Sequence, residues 1–188
     1  MQQAGAPPHG SEWLYPPPDW HDSDGVIRVR TAPKTDYWRK THENFIAHNG
    51  HFYYQPITGD FTARVQVQGD YAAQYDQAGL MIRLDDAHWL KCGVELLDGV
   101  QQASAVLTRD FSDWSVVALP DAPAALWFEL RRIGYTLYVA YSLDGERYTL
   151  IRQGYFPADD PVQVGLMCCA PSGDGFSVTF SGYTLTQP

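Results

Sequence analysis

Phe61-Thr62-Ala63-Arg64-Val65-Gln66-Val67-Gln68 alternates apolar and polar side chains without a break. Side chains leave a strand in opposite directions with a period of two, so this run presents one oily face and one watery face. The same code recurs on both sides of it. Ile27 and Val29 alternate with Arg28 and Arg30, and Leu80, Ile82 and Leu84 follow downstream. Leu90, Cys92, Val94 and Leu96 stand opposite Trp89, Lys91, Gly93 and Glu95. Leu126, Phe128 and Leu130 stand opposite Trp127, Glu129 and Arg131, and Leu137, Val139 and Tyr141 opposite Thr136, Tyr138 and Ala140. Val162, Val164, Leu166 and Cys168, then Phe176, Val178 and Phe180, close the series. No segment sustains a helical period. Asp24-Gly25, Asp98-Gly99 and Asp144-Gly145 supply the positive φ of hairpin turns. Short alternating strands joined this way predict an all-β, two-sheet antiparallel sandwich or a barrel.

The chain has 188 residues, enough for one domain that buries roughly 70% of its unfolded surface. With 6 Trp and 12 Tyr it is too aromatic for a disordered chain. A net charge of -9 repels phosphate backbones, which argues against a nucleic-acid partner. There is no apolar run long enough for a membrane span and no leader pattern in Met1 to Ser11, so the expectation is a soluble, cytoplasmic protein. Residues 1–19 form a proline-rich lead-in, with Pro16, Pro17 and Pro18 barring a helix or a central strand, and the sandwich is expected over 20–188. Cys92, Cys168 and Cys169 lack metal or disulfide spacing, and adjacent Cys168 and Cys169 point to opposite faces of a strand. They read as buried free thiols.

Three segments carry a resemblance: Gly59-Asp60-Phe61-Thr62-Ala63, Tyr75-Asp76-Gln77-Ala78-Gly79-Leu80-Met81-Ile82-Arg83 and Trp89-Leu90-Lys91-Cys92-Gly93-Val94-Glu95. Thr35-Asp36-Tyr37-Trp38-Arg39, Ser112-Asp113-Trp114-Ser115, Tyr141-Ser142-Leu143-Asp144-Gly145 and Val164-Gly165-Leu166-Met167 extend it along nearly the whole chain. Together they resemble a domain-of-unknown-function family that includes regulation-of-enolase-like proteins. That family is similar to the concanavalin A-like C-terminal sandwich domains of family-43 β-xylosidases. The resemblance implies a concanavalin A-like jelly roll; it says little of activity, because one fold hosts many functions.

Candidate ligand residues come from the face opposite the core. Trp89, Lys91 and Glu95 share that face, with Lys91 and Glu95 about 13 Å apart along the strand. If neighbouring strands bring Arg83 and Arg131 alongside, a groove of charges and aromatics suits sugar hydroxyls. The plain alternative is a solvated face with weak cross-strand ion pairs. Asp76 and Gln77 precede a strand, where they either aim at the sheet rim or hold a turn through backbone amides. Asp113 and Trp114 are expected in a hairpin loop, as sugar-binding groups or with the indole as a lid on the core. Trp38 and Tyr54 add aromatics near the rim, each of a type more often found in a core. His42, His48 and His51 lack the spacing of a metal face.

No catalytic residue, metal or cofactor is assigned. Paired acids on one strand face are missing, as are GxSxG, GxxxxGK[ST] and HExxH. The leading expectation is a non-catalytic domain that binds a carbohydrate or another hydroxyl-rich small ligand. Two alternatives remain, an intracellular regulatory or protein-interaction protein of sugar metabolism and a glycoside hydrolase without the usual acid pair. Oligomeric state is left open.

Overall fold

The computed structural model describes residues 10–157, 159 and 161–188, and the regular elements among them are all strands. In chain order these are β1 (Glu12–Leu14), β2 (Asp19–Ser23), β3 (Val26–Arg30), β4 (Tyr37–Arg39), β5 (Ile46–His48), β6 (His51–Ile57), β7 (Phe61–Gly69) and β8 (Gln77–Arg83). Then follow β9 (His88–Leu97), β10 (Val100–Arg109), β11 (Phe111–Leu119), β12 (Leu126–Ile133), β13 (Thr136–Ser142), β14 (Thr149–Tyr155), β15 (Val162–Cys169) and β16 (Ser177–Thr186).

Two seven-stranded antiparallel sheets make the sandwich. One runs β1-β6-β15-β8-β9-β10-β11, here the front sheet, and the other runs β14-β13-β12-β7-β16-β3-β2, the back sheet. The expected inward residues fill the space between them: Phe61, Ala63, Val65 and Val67 from β7 meet Leu90, Cys92 and Val94 from β9, with Phe128, Leu166, Val178 and Phe180 in the same buried cluster. Two of the Asp-Gly pairs make two-residue hairpins in which both residues have positive φ: Asp24 (52°) with Gly25 (79°), and Asp98 (51°) with Gly99 (77°). That is the turn whose twist matches the strands it joins. At Asp144 the carboxylate instead accepts amides from Glu146 and Arg147, building a longer loop.

Two boundaries differ from the sequence reading. The sandwich starts before residue 20: Glu12–Leu14 pairs with β6 at the edge of the front sheet, ahead of the prolines, where an edge strand tolerates a short partner. Met1 to His9 of the expected lead-in lie outside the described residues. The stretch Ser112 to Ser115 is strand β11, not a loop, because the turn lies one step earlier at Asp110 (φ 65°).

A third, two-stranded sheet of β4 and β5 lies against the outer side of the front sheet. Its Tyr37 is fully buried and meets Trp89 edge-on at 5.9 Å. With Phe52, Met81, Val106, Met167 and Cys169, these two rings form a second apolar cluster outside the sandwich core. The hairpin is tied down at its far end, where Arg39 and Lys40 both pair with Asp110 at 2.9 and 2.7 Å and Thr41 donates to the Ser112 carbonyl. Adjacent Cys168 and Cys169 divide as strand alternation demands, the first into the sandwich core and the second into this outer cluster.

Candidate functional site

The outer side of the front sheet therefore divides into a roofed part and a small open part. Strand register sets the rows. Met167, Gly79, Gly93 and Ser104 follow one another across β15, β8, β9 and β10. On one side of this row lie Gln77, Glu95 and Gln102, and on the other Met81, Lys91, Val106 and Trp114. The two glycines are demanded by the sheet: a Cβ on Gly79 would sit 1.9 Å from the Cys92 carbonyl oxygen, and one on Gly93 would sit 2.0 Å from that of Ala78. With no side chain at either position the backbone forms a bare floor, of the kind that marks close approach by a ligand.

Above Gly93 is a shallow recess with about 10 Å³ of free space, room for about one water-sized group, lined by Gln77, Lys91, Glu95, Ser104 and Met167 beside the β9 backbone. That is far below the roughly 300–1,000 Å³ of a drug-sized site, so the recess has room for one polar group of a ligand and not for a whole ligand. Lys91 is buried and its Nζ donates to Asp36 Oδ1 at 3.2 Å and to the Tyr37 carbonyl at 2.6 Å, so the roof hangs partly on this ammonium. An ammonium carries three protons, so one is without a hydrogen-bond partner among the described residues, with the Trp89 ring 5.8 Å from Nζ. Glu95 is also buried. One of its oxygens, Oε2, accepts from the Ser104 hydroxyl at 2.6 Å and the Trp114 indole at 3.0 Å, and no hydrogen bond to Oε1 is seen among the described residues. Burial pushes its carboxyl above the ordinary glutamate range, against the pull of Lys91 and of those two donors. The Gln77 amide nitrogen donates to the Tyr75 carbonyl, leaving its oxygen for another donor.

Aromatic rings stand beside the recess. Trp114, 37% exposed, meets Trp38 edge-on at 6.4 Å and Tyr75 at the same distance. Trp38 is fixed by its own indole bond to the Thr41 carbonyl. Tyr75 was absent from the expected set, although its 38% exposure and positive φ (68°) mark it as a ring held outward by a loop.

The expected open groove is corrected on several points. Trp89, Lys91 and Glu95 do face away from the sandwich core, but Trp89 has no exposed surface because the roof covers it. Arg131 belongs to the back sheet, where it packs over Tyr138 at 4.8 Å, because β12 pairs with β7 and β13. Asp113 and Trp114, as neighbours on a strand, face opposite ways, and Asp113 pairs with Arg152 at 2.7 Å instead of entering the recess. Asp76 holds a turn, its Oδ2 accepting amides from Ala72 and Ala73 behind it in sequence. Arg83 stays beside Trp89 but is engaged by Gln163 at 2.7 Å and by Asp86. Tyr54 faces the outer cluster and donates to Glu12 on the edge strand. The structure thus brings Gln77, Lys91 and Glu95 to the recess, with Trp114 joined to Glu95 and Trp38 set against Trp114, and leaves the other candidates elsewhere.

His51 is locked as a structural residue: its Nε2 accepts the Ala32 amide, so Nδ1 donates to the Tyr15 carbonyl. Among the described residues no group of three His, Cys, Asp or Glu side chains could hold a metal ion.

Fold and recess together define a concanavalin A-like sandwich domain with a pocket on its outer front face. Comparison with known proteins is consistent with this class. Residues 13–188 match the family described as protein of unknown function DUF1349, and the chain belongs to that family. It is 40% identical over 176 residues to Regulation of enolase protein 1 of Saccharomyces cerevisiae, covering 94% of this chain and 89% of that protein. A crystal structure of a functionally unknown Saccharomyces cerevisiae protein superposes with a TM-score of 0.91 at 39% identity, over 95% of this chain and 96% of that one. The GH43 protein BlXynB of Bacillus licheniformis shares the fold at a TM-score of 0.70 and 15% identity, over 97% of this chain and 38% of that one.

Proposed function

We propose that this chain is a non-catalytic binding domain for a small hydroxyl-rich ligand, of monosaccharide or polyol size, which seats one polar group in the recess beside Gly93 and lays the rest of its skeleton against the neighbouring rings. One observation carries the reading: buried Lys91 and Glu95 flank the side-chain-free backbone at Gly93, and each keeps hydrogen-bonding capacity that is not used among the described residues. Buried polar groups ordinarily find partners, so spare capacity beside a recess is a place for a ligand's hydroxyls. The half-exposed rings of Trp38, Tyr75 and Trp114 offer apolar faces to the carbon skeleton of such a ligand.

Glycosidic hydrolysis is disfavoured, since it needs two carboxyl groups on either side of the bond and Glu95 is the single carboxylate among the residues lining the recess. The name of the yeast relative supports a regulatory role, in which ligand occupancy would be the signal. A thermal-shift panel of sugars, polyols and amino sugars at millimolar concentration tests the site. At least one compound should raise the midpoint of the native chain, Trp114→Ala should lose that rise, and Arg131→Ala on the back sheet should keep it. No rise with any compound, or a rise indifferent to Trp114→Ala, contradicts the proposal.

A further inference from the structure

One acid of the recess forms no ion pair among the described residues, and that specifies the ligand more narrowly. Lys91 is spoken for by Asp36 at 3.2 Å. Glu95, 6% exposed, forms no ion pair among the described residues; its bonds to Ser104 and Trp114 are with neutral donors. With Lys91 paired to Asp36, Glu95 is the acid of the recess without a cation of its own, and an ammonium brought beside it would favour its ionised form where water has little access. A buried charge without a counter-ion is costly, and a cation brought by the ligand would relieve it.

A second, independent feature points the same way. The Trp114 indole, anchored by Glu95 itself, meets Trp38 edge-on at 89° and Tyr75 at 71°. Aromatic faces carry the negative side of the ring quadrupole and attract ammonium groups, most strongly on Trp. An exposed indole with two further rings around it, beside an unpaired carboxylate, fits an organic cation better than a neutral polyol. The chain's net charge of -9 adds attraction at long range.

From this we infer that the recess recognises the ammonium group of a small hydroxylated compound, of the 2-amino sugar class, which enters toward Glu95 beside the Trp114 ring while the hydroxyls stay at the mouth near Lys91 and Gln77. The inference rests on the proposed binding site and narrows its ligand.

Titration calorimetry at neutral pH with D-glucosamine, D-glucose and N-acetyl-D-glucosamine separates the two. D-glucosamine should bind at least about tenfold more tightly than either neutral sugar, a difference of about 1.4 kcal/mol. Glu95→Gln keeps the acceptor for Ser104 and Trp114 but removes the charge, and should bring the ratio of D-glucosamine to D-glucose affinity close to one. Should that variant lose its cooperative melting transition, the comparison of D-glucosamine with its N-acetyl derivative on the native chain still decides. Equal affinity for D-glucosamine and D-glucose overturns the ammonium inference and leaves the hydroxyl-binding site standing. Failure of all three to bind overturns both.

Discussion

Opposite the core-facing residues of β9 stand Trp89, Lys91 and Glu95, and opposite those of β12 stand Trp127, Glu129 and Arg131. Each set is an aromatic ring, an acid and a base on alternate positions. The first set is buried and the second half-exposed. On the back sheet, Glu129 pairs with Arg64 across the strands and Arg131 packs over Tyr138, an ordinary solvated face. The front sheet carries the β4–β5 hairpin as a roof, and what it leaves uncovered is a recess. The polarity of a strand face thus does not tell whether water reaches it. A segment distant in sequence decides that, and it turns similar side chains into a solvated surface in one place and a mostly covered face with a small recess in another.

The sharpest way to break this contrast is to crowd the floor. Gly93→Ala should cost at least about 3 kcal/mol or abolish the cooperative transition, because the added Cβ meets backbone that no side-chain rotation can clear. Urea denaturation measures it.

Next in size is the tie between floor and roof. Lys91→Ala strands Asp36 without its partner and should cost about 3–5 kcal/mol, whereas Arg131→Ala on the back sheet should stay within about 0.5 kcal/mol. Similar losses for the two would mean that the roof contributes nothing.

Glu95 should give the front face a pH response of definite sign. Because burial raises the Glu95 carboxyl, the folded chain holds a proton that the unfolded chain has already released over the interval just above the ordinary glutamate range. More protons bound in the folded state means that stability falls as pH rises through that interval. Glu95→Gln should remove this slope, as urea midpoints measured at successive pH values would show; a slope unchanged by the substitution would contradict the burial argument. The smallest effect belongs to Arg64 and Glu129, whose coupling in a double-mutant cycle should fall at about 0.2–1 kcal/mol, because half of the arginine side chain remains in water.

Much of the fold was legible because strand alternation and Asp-Gly turns are local signals. The inward residues of β3, β7, β9, β12, β13, β15 and β16 are those that alternation selects. The roof was not legible in this way, since its contacts join Asp36 to Lys91 and Arg39 to Asp110 across long stretches of chain. A trace of it was nonetheless present. The outward positions of the front sheet include Gly79, Met81, Val106, Gly165, Met167 and Cys169, apolar or small, while those of β7 on the back sheet are Thr62, Arg64, Gln66 and Gln68. A strand apolar on both faces is covered on both faces. Of the site itself, Gln77, Lys91, Glu95, Trp38 and Trp114 were foreseeable as chemistry-bearing side chains. Ser104 and Tyr75 were not, since a lone serine in a strand and a tyrosine in a turn carry no local signal of convergence.

The central claim, that ligand enters on the front face beside Glu95, can be tested by following the indole N–H resonances of the tryptophans during a titration with D-glucosamine. Movement of the Trp114 signal, identified by its loss in Trp114→Phe, with the Trp127 signal of the back sheet unmoved, is the result expected. A still Trp114 signal at saturating ligand, or a response at Trp127 instead, would contradict it.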